Sequence, residues 1–286
     1  MKYAFFGTPD FAAVILEKLI KSGFPPAAVV CNHDRPVGRK KIITPPPTKV
    51  LAEKYEIKVY QPEKLEIRNF QLEIGEIDFA VVAAYAQIIP KEILEMSRLG
   101  TIGVHPSLLP KYRGSSPIQS AILSGESETG VTLFLVDEKV DHGPIFAQRK
   151  LEFSISNFQF SKLQQLLAEL AGYLLIETLP KFLKSEITPL PQDESQATYT
   201  KKFKTEDGYV DLEKDDPIII ERKICALNPE PGVWTILIPE ELSSLIRANS
   251  SIQNKKRVKL LEAELVDGKL KLTKIQFEGG KPQIIP

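Results

Sequence analysis

Residues 2–31 read KYAFFGTPDFAAVILEKLIKSGFPPAAVVC, and this stretch decides the fold class. Lys2–Phe6 is a short apolar run that stops at Gly7. Thr8-Pro9-Asp10 follows, with Thr8 suited to cap a helix and Pro9 to its first position. Phe11, Ile15 and Leu19 then recur at helical spacing, and Gly23 can close the helix. Ala27–Cys31 is a second apolar run of strand length. The same texture continues with Phe79–Ala84, Thr101–His105, 131–137 and 145–153. Short continuous apolar runs between helices predict a mostly parallel sheet covered by helices on both faces. A long helix is expected over 158–184, with Leu163, Leu167, Leu170 and Leu174 on one face and Pro180 kinking or interrupting it.

The texture then changes. Residues 185–206, SEITPLPQDESQATYTKKFKTE, are polar, contain two prolines and lack a period. They read as an interdomain connection, so the expected organisation is a catalytic region 1–188, a linker 189–206 and a C-terminal domain 207–286. Beyond the linker, Ile236–Ile238, Val258–Val266 and Lys269–Ile275 alternate with turn residues such as Asp267-Gly268, and one helix is expected near Ile218–Leu227. A small five-stranded β-barrel fits that length.

The 286 residues carry 37 Lys plus Arg and 37 Asp plus Glu, so any polyanion must be held by local clusters rather than by a global field. One such cluster is the segment 32–49, NHDRPVGRKKIITPPPTK, with Arg35, Arg39, Lys40, Lys41 and Lys49. Its three consecutive prolines favour an extended conformation without intrinsic pairing. It is either a solvated basic loop or an arm that reaches a phosphate backbone. Lys201-Lys202-Phe203-Lys204 and Lys255–Lys259 are the other two clusters. Two cysteines, Cys31 and Cys225, argue against a disulfide scaffold and a cysteine zinc site, and no metal is expected. The N-terminal apolar run is too short for a signal peptide, and no stretch reaches the length of a membrane span. The expectation is a soluble, cytoplasmic protein with no membrane contact.

Chemistry concentrates in Gly100–Gly143, GTIGVHPSLLPKYRGSSPIQSAILSGESETGVTLFLVDEKVDHG. The chain has three histidines, and His105 ends an apolar strand before a turn, where α/β sheets place reactive groups. Asp141 follows another strand, and a carboxylate at a neighbouring parallel-strand end could orient the imidazole. Taken alone, His105 could equally be structural and Asp141 a turn residue. Gly7-Thr8-Pro9 lacks the later glycines of a dinucleotide loop, and neither a phosphate-binding GxxxxGK[ST] nor a GxSxG elbow is present.

HPSLLPKYRGSSPIQ together with VDHGPI resembles the signature of the 10-formyltetrahydrofolate-dependent formyltransferases. FFGTPDFA, DRPVGR, VVAAYAQIIP, ATYTKKFKTEDGYVD and ICALNPEPGVWT extend the likeness over nearly the full length, toward the methionyl-tRNA formyltransferase branch of that family. The resemblance implies a Rossmann-like catalytic domain followed by an OB-like, tRNA-binding barrel, acting as a monomer. It implies transfer of a formyl group from 10-formyltetrahydrofolate to the α-amino group of methionine on initiator tRNA. By the family pattern His105 stabilises the tetrahedral oxyanion, and Asp141 handles the proton and orients His105. Ala84, Tyr85, Gln87, Ile88, Ser107, Leu108, Leu109 and Pro110 would line the folate slot, with ordinary core as the alternative reading of Leu108 and Leu109. Arg39 would wedge at the acceptor end of the tRNA, with Arg35, Lys40, Lys41 and Lys202 on phosphates.

One position departs from the family. It carries asparagine two residues before the histidine, and here that residue is Gly103. In a strand, 103 and 105 share a face, so an oxyanion donor is missing beside the imidazole. A water, the amide of Gln87 or Gln119, or reduced or lost turnover would each account for it, and restoring Gly103→Asn would raise the rate if that donor limits it. Transfer to a small amine, such as an amino sugar or ribonucleotide, is the alternative activity; the basic arm and the β domain argue against it.

Overall fold

The computed structural model describes residues 1–38, 40–153, 159–237 and 256–285. In chain order the elements begin with β1 (Tyr3–Gly7), α1 (Asp10–Lys21), β2 (Ala28–Val30), β3 (Arg35–Val37), β4 (Ile42–Thr44), α2 (Pro47–Lys54) and β5 (Lys58–Tyr60). There follow α3 (Ile67–Ile74), β6 (Phe79–Ala83), α4 (Lys91–Leu94), β7 (Thr101–His105), β8 (Arg113–Gly114), α5 (Pro117–Ser124), β9 (Glu128–Leu135), β10 (Ile145–Glu152) and α6 (Phe160–Leu183). The chain closes with β11 (Tyr199–Thr200), α7 (Pro217–Leu227), β12 (Val233–Leu237), β13 (Lys256–Val266), β14 (Lys269–Phe277) and β15 (Pro282–Ile284).

Two compact units form, each from several segments. One comprises Met1–Gly114, Thr129–Leu151 and Gln164–Tyr199; the other Ser115–Glu128, Glu152–Leu163 and Thr200–Pro286. The first is organised by a seven-stranded sheet in the order β10-β9-β7-β6-β1-β2-β5. Strands β7, β6, β1, β2 and β5 are parallel, and β9 runs antiparallel to β7. Alternation along β1 sends Ala4 and Phe6 to one face, against Phe70 and Ile74 of α3 and Ile93 of α4. Tyr3 points to the other face, where it stacks on Phe79, which in turn meets Phe182 of α6. The sheet is therefore covered on both sides, as its apolar runs require. Gly23 takes φ +83°, and the Phe24 N–H closes the end of α1 on the Leu19 carbonyl at 2.9 Å.

Three local expectations change. Pro9 occupies the cap of α1 rather than its first helical position, because the Thr8 hydroxyl accepts instead from the Asn32 N–H across the sheet edge. The basic segment is internally paired: β3 and β4 form an antiparallel hairpin with Pro36 opposite Ile43, and Pro47 opens α2. Pro180 lies inside α6 without ending it.

In the second unit, β12-β13-β14-β15 form an antiparallel sheet, and the Asp267-Gly268 turn has φ +50° and +75°, the left-handed pair of a tight hairpin. Ile220, Ile224 and Leu227 of α7 are buried, and α7 rests on β13 and β14. The expected fifth strand and barrel closure are not seen among the described residues; residues 238–255 lie outside them. Among the described residues no helix is long and apolar enough to cross a membrane.

Cys31 is buried and Cys225 is half-buried. Burial pushes Cys31 up to about 11, and burial with nearby Glu221 pushes Cys225 up to about 12. The thiolate is the reactive form, so neither cysteine of the native chain is expected to react with a maleimide at pH 7.5. Both should label once denaturant is added; stoichiometric labelling of the folded protein within minutes would contradict this packing.

Candidate active site

The pairing of Gly7 with Ala83 and of Ala83 with Val104 brings the carboxyl ends of β1, β6 and β7 to one edge of the sheet. This is the edge where open α/β sheets bind ligands. His105 ends β7 there, with its side chain only 6% exposed. Its Nε2 lies 2.9 Å from the Tyr112 carbonyl. A carbonyl only accepts, so Nε2 carries the proton and Nδ1 is the nitrogen left for chemistry. Nδ1 faces Asp141 Oδ2 at 3.5 Å.

Asp141 reaches this point by a route other than the one predicted. Because β9 is antiparallel to β7, its carboxyl end lies beside Ile102, away from His105. The loop following β9 brings the carboxylate to the imidazole, and Asp141 adopts φ +48° to do so. The left-handed conformation is unfavourable for a non-glycine residue and persists only where its surroundings hold it. Here the Gly114 N–H donates to Asp141 Oδ2 at 2.7 Å, and Gln192 Nε2 donates to the Asp141 carbonyl at 2.9 Å.

Beside His105 the missing asparagine has a structural counterpart. Gly103 pairs with Phe134 across β7 and β9, so both face the side that His105 faces. A Cβ on Gly103 would lie 2.5 Å from Phe134 Cζ and 3.0 Å from Val136 Cγ2. The phenyl ring thus occupies the place of an asparagine side chain or a water at that position. Gln87 does not supply a spare donor, since its amide donates to Asn32 Oδ1 and to the Pro62 carbonyl, both at 3.2 Å. Gln119 lies on α5, in the second unit.

The remaining expected residues fall into distinct settings. Ala84 is exposed with φ +49°, and Ile88 is 92% exposed. Tyr85 turns inward and meets Phe6 edge-on; its hydroxyl is buried without a hydrogen-bond partner among the described residues, and burial raises its pKa. Ser107 is fully buried and donates to the Lys111 carbonyl at 2.6 Å. Leu109 is the buried leucine of the pair, its N–H bonded to Thr132 Oγ1, while Leu108 and Pro110 are half-buried. Arg35, Lys40, Lys41 and Lys202 are exposed, and Arg39 lies outside the described residues. Lys49 instead pairs with Asp34 at 2.9 Å.

Sequence reasoning missed the residues that frame the pair. Arg113 is fully buried, which is unusual for an arginine and is explained by a bidentate pairing with Glu194 at 3.0 and 2.6 Å and by Gln192. The arginine holds the Glu194 carboxyl below its ordinary range. His142 Nδ1 bonds Asp137 Oδ2 at 2.6 Å, and its Nε2 lies 3.6 Å from Glu194. Arg113 lies in the signature HPSLLPKYRGSSPIQ, where no role was read for it, and Gln192 and Glu194 lie in 185–206, read as an interdomain connection.

The family model described as formyl transferase matches residues 1–179. A methionyl-tRNA formyltransferase of Thermotoga maritima is 39% identical over 292 residues, covering 98% of this chain and 92% of that protein. One from Halalkalibacterium halodurans is 42% identical over 238 residues, covering 82% of this chain and 74% of that protein. Among solved structures, methionyl-tRNA formyltransferase from Clostridium thermocellum superposes with a TM-score of 0.61 at 18% identity, covering 97% of this chain and 99% of that one. An N-formyltransferase from Helicobacter canadensis, solved with folinic acid and dTDP-3-aminofucose, gives 0.64 at 18% identity, covering 100% and 98%. At that identity the two structures speak to the fold alone.

Proposed function

Because the chain belongs to the methionyl-tRNA formyltransferase family, we propose that it formylates the α-amino group of methionine on initiator tRNA, for translation initiation in the cytoplasm. The observation that carries this reading is the 39% identity to the Thermotoga maritima enzyme across 98% of the chain, C-terminal β unit included. A likeness confined to the catalytic unit would have left the amine acceptor open.

The co-substrate of the family, 10-formyltetrahydrofolate, supplies the formyl group. The exposed apolar side chains of Ala84, Ala86 and Ile88 at the end of β6 suit a flat heteroaromatic, and Leu108 and Pro110 are their partners in that role. Tyr85, Gln87, Ser107 and Leu109 support those loops from within. Asp141 and the Nδ1 side of His105 form the proton-accepting pair beside the attacking amine. When Nδ1 takes up that proton, the imidazolium faces the Asp141 carboxylate and its charge stabilises the neighbouring oxyanion; as the tetrahedral adduct collapses, the bond from the formyl carbon to the folate nitrogen breaks and the proton passes to that nitrogen, so no covalent nucleophile is needed. The site thus places proton acceptance and charge stabilisation on a single pair, where the family has a third group at position 103.

Arg35, Lys40 and Lys41 on the β3–β4 hairpin, Arg39 between them, and Lys202 with residues 207–286 are proposed to hold the tRNA, with the enzyme acting as a monomer. Exposed cations on a paired hairpin can reach a phosphate backbone without unfolding the arm. Arg39→Ala is expected to raise KM for methionyl-tRNA several-fold at low salt, with the gap narrowing as salt rises. An unchanged KM at low ionic strength would remove Arg39 from the interface.

The direct test offers formyl-folate with methionyl-tRNA, free methionine or an amino sugar in parallel. Formylation of the charged tRNA alone supports the assignment. Turnover of the amino sugar, with charged tRNA inert, would replace it.

A further inference from the structure

We propose that Gln192 is a positioning residue for Asp141, so that the polar segment after α6 completes the active site rather than merely leading away from it. The inference rests on the assignment of Asp141 as a reacting group. Gln192 Oε1 accepts from Arg113 Nε at 3.1 Å and from Arg113 Nη2 at 2.8 Å. Its Nε2 donates to the Asp141 carbonyl at 2.9 Å and to the Gly143 carbonyl at 2.8 Å. The orientation of the amide is settled by chemistry, because a guanidinium only donates and a carbonyl only accepts. One carboxamide therefore bridges a fully buried arginine at β8 to the backbone on both sides of His142.

The bridge lies where the backbone needs holding. Asp141 is left-handed at φ +48°, and its side chain is fixed by the Gly114 N–H, the residue after Arg113. Arg113 and Gly114 thus hold Asp141 twice: directly through the Gly114 amide, and indirectly through Arg113 and Gln192. Arg113 is itself anchored by Glu194 and by the Tyr199 hydroxyl, 3.1 Å from Nη1, both from the same segment. Releasing the carbonyl bonds lets the peptide relax toward a commoner conformation and swings the carboxylate away from His105. Misplacing a reacting group by about an ångström can cost about 100-fold in rate.

Gln192→Glu separates positioning from docking. The glutamate keeps an acceptor for Arg113, and adds charge to it, but it sets carboxylate oxygen against the Asp141 and Gly143 carbonyls in place of a donor. We expect kcat to fall about 100-fold with KM for both substrates within about threefold. The Gly114 amide proton should move upfield in the NMR spectrum as it loses the Asp141 carboxylate. Wild-type kcat in this variant, or a lowered kcat with the Gly114 resonance unmoved, would overturn the proposal. If Gln192→Glu does not fold, Gln192→Met removes both donors without adding charge and is judged by the same two readings. An active Asp141→Asn variant would overturn the catalytic assignment instead, and the Gly114 resonance would still report whether Gln192 sets the carboxylate.

Discussion

Asp141→Asn is expected to lower kcat by about 10²–10⁴-fold while leaving the fold intact, the range for loss of a positioned proton acceptor. The substitution preserves shape, and the amide oxygen can still accept from the Gly114 N–H at the place of Oδ2. What disappears is the negative charge facing His105 Nδ1 at 3.5 Å. Without it the ring that takes up the amine's proton has no counter-charge, and its proton affinity falls. His105→Ala should be at least as damaging, because it removes the ring whose Nε2 is held by the Tyr112 carbonyl. Single-turnover formylation together with thermal unfolding checks both variants. Full activity in either, with an unchanged melting curve, would take that residue out of the mechanism.

Gly103→Asn is the second large effect, and its sign reverses between sequence and structure. From the family pattern, restoring asparagine returns an oxyanion donor and raises the rate. In the folded chain the new Cβ meets the Phe134 ring and Val136 at once, before the amide is placed. Overpacking a buried strand pair costs about 1–3 kcal/mol, so the single variant should be less stable and no faster than the parent. Phe134→Ala opens the space and leaves a cavity of its own. The double variant should therefore be more stable than the two single losses added together, with a coupling of about 0.5–3 kcal/mol. It should also be faster than Phe134→Ala alone. A stable and faster Gly103→Asn single variant would show that Phe134 does not occupy the asparagine position.

How much was readable depends on the range of the interaction. The parallel strands were legible because an apolar run such as Phe79–Ala84 needs only burial on both faces to become a central strand. The hairpin over 35–44 was not, because the three consecutive prolines that follow it signal the absence of pairing, whereas Arg35–Val37 finds its partner in Ile42–Thr44. His105 was legible as a strand-end histidine. The direction of β9 was not, since an apolar strand reads alike in either orientation, and so Asp141 was expected at a strand end rather than on a returning loop. Arg113 stood inside the quoted signature HPSLLPKYRGSSPIQ without a role of its own, and Gln192 inside a polar stretch read as linker. Their burial follows from partners distant in the chain.

The amino-acid sequence alone determined the alternation of strands and helices, the strand-end histidine and membership of a formyl-transferring family, because these depend on local periodicity and on motifs short enough to read in place. Tertiary structure alone decided that Phe134 fills the space at Gly103 and that Gln192 grips the backbone of Asp141. Each is a contact between residues far apart along the chain, and only the completed packing establishes which of them share a volume or a hydrogen bond.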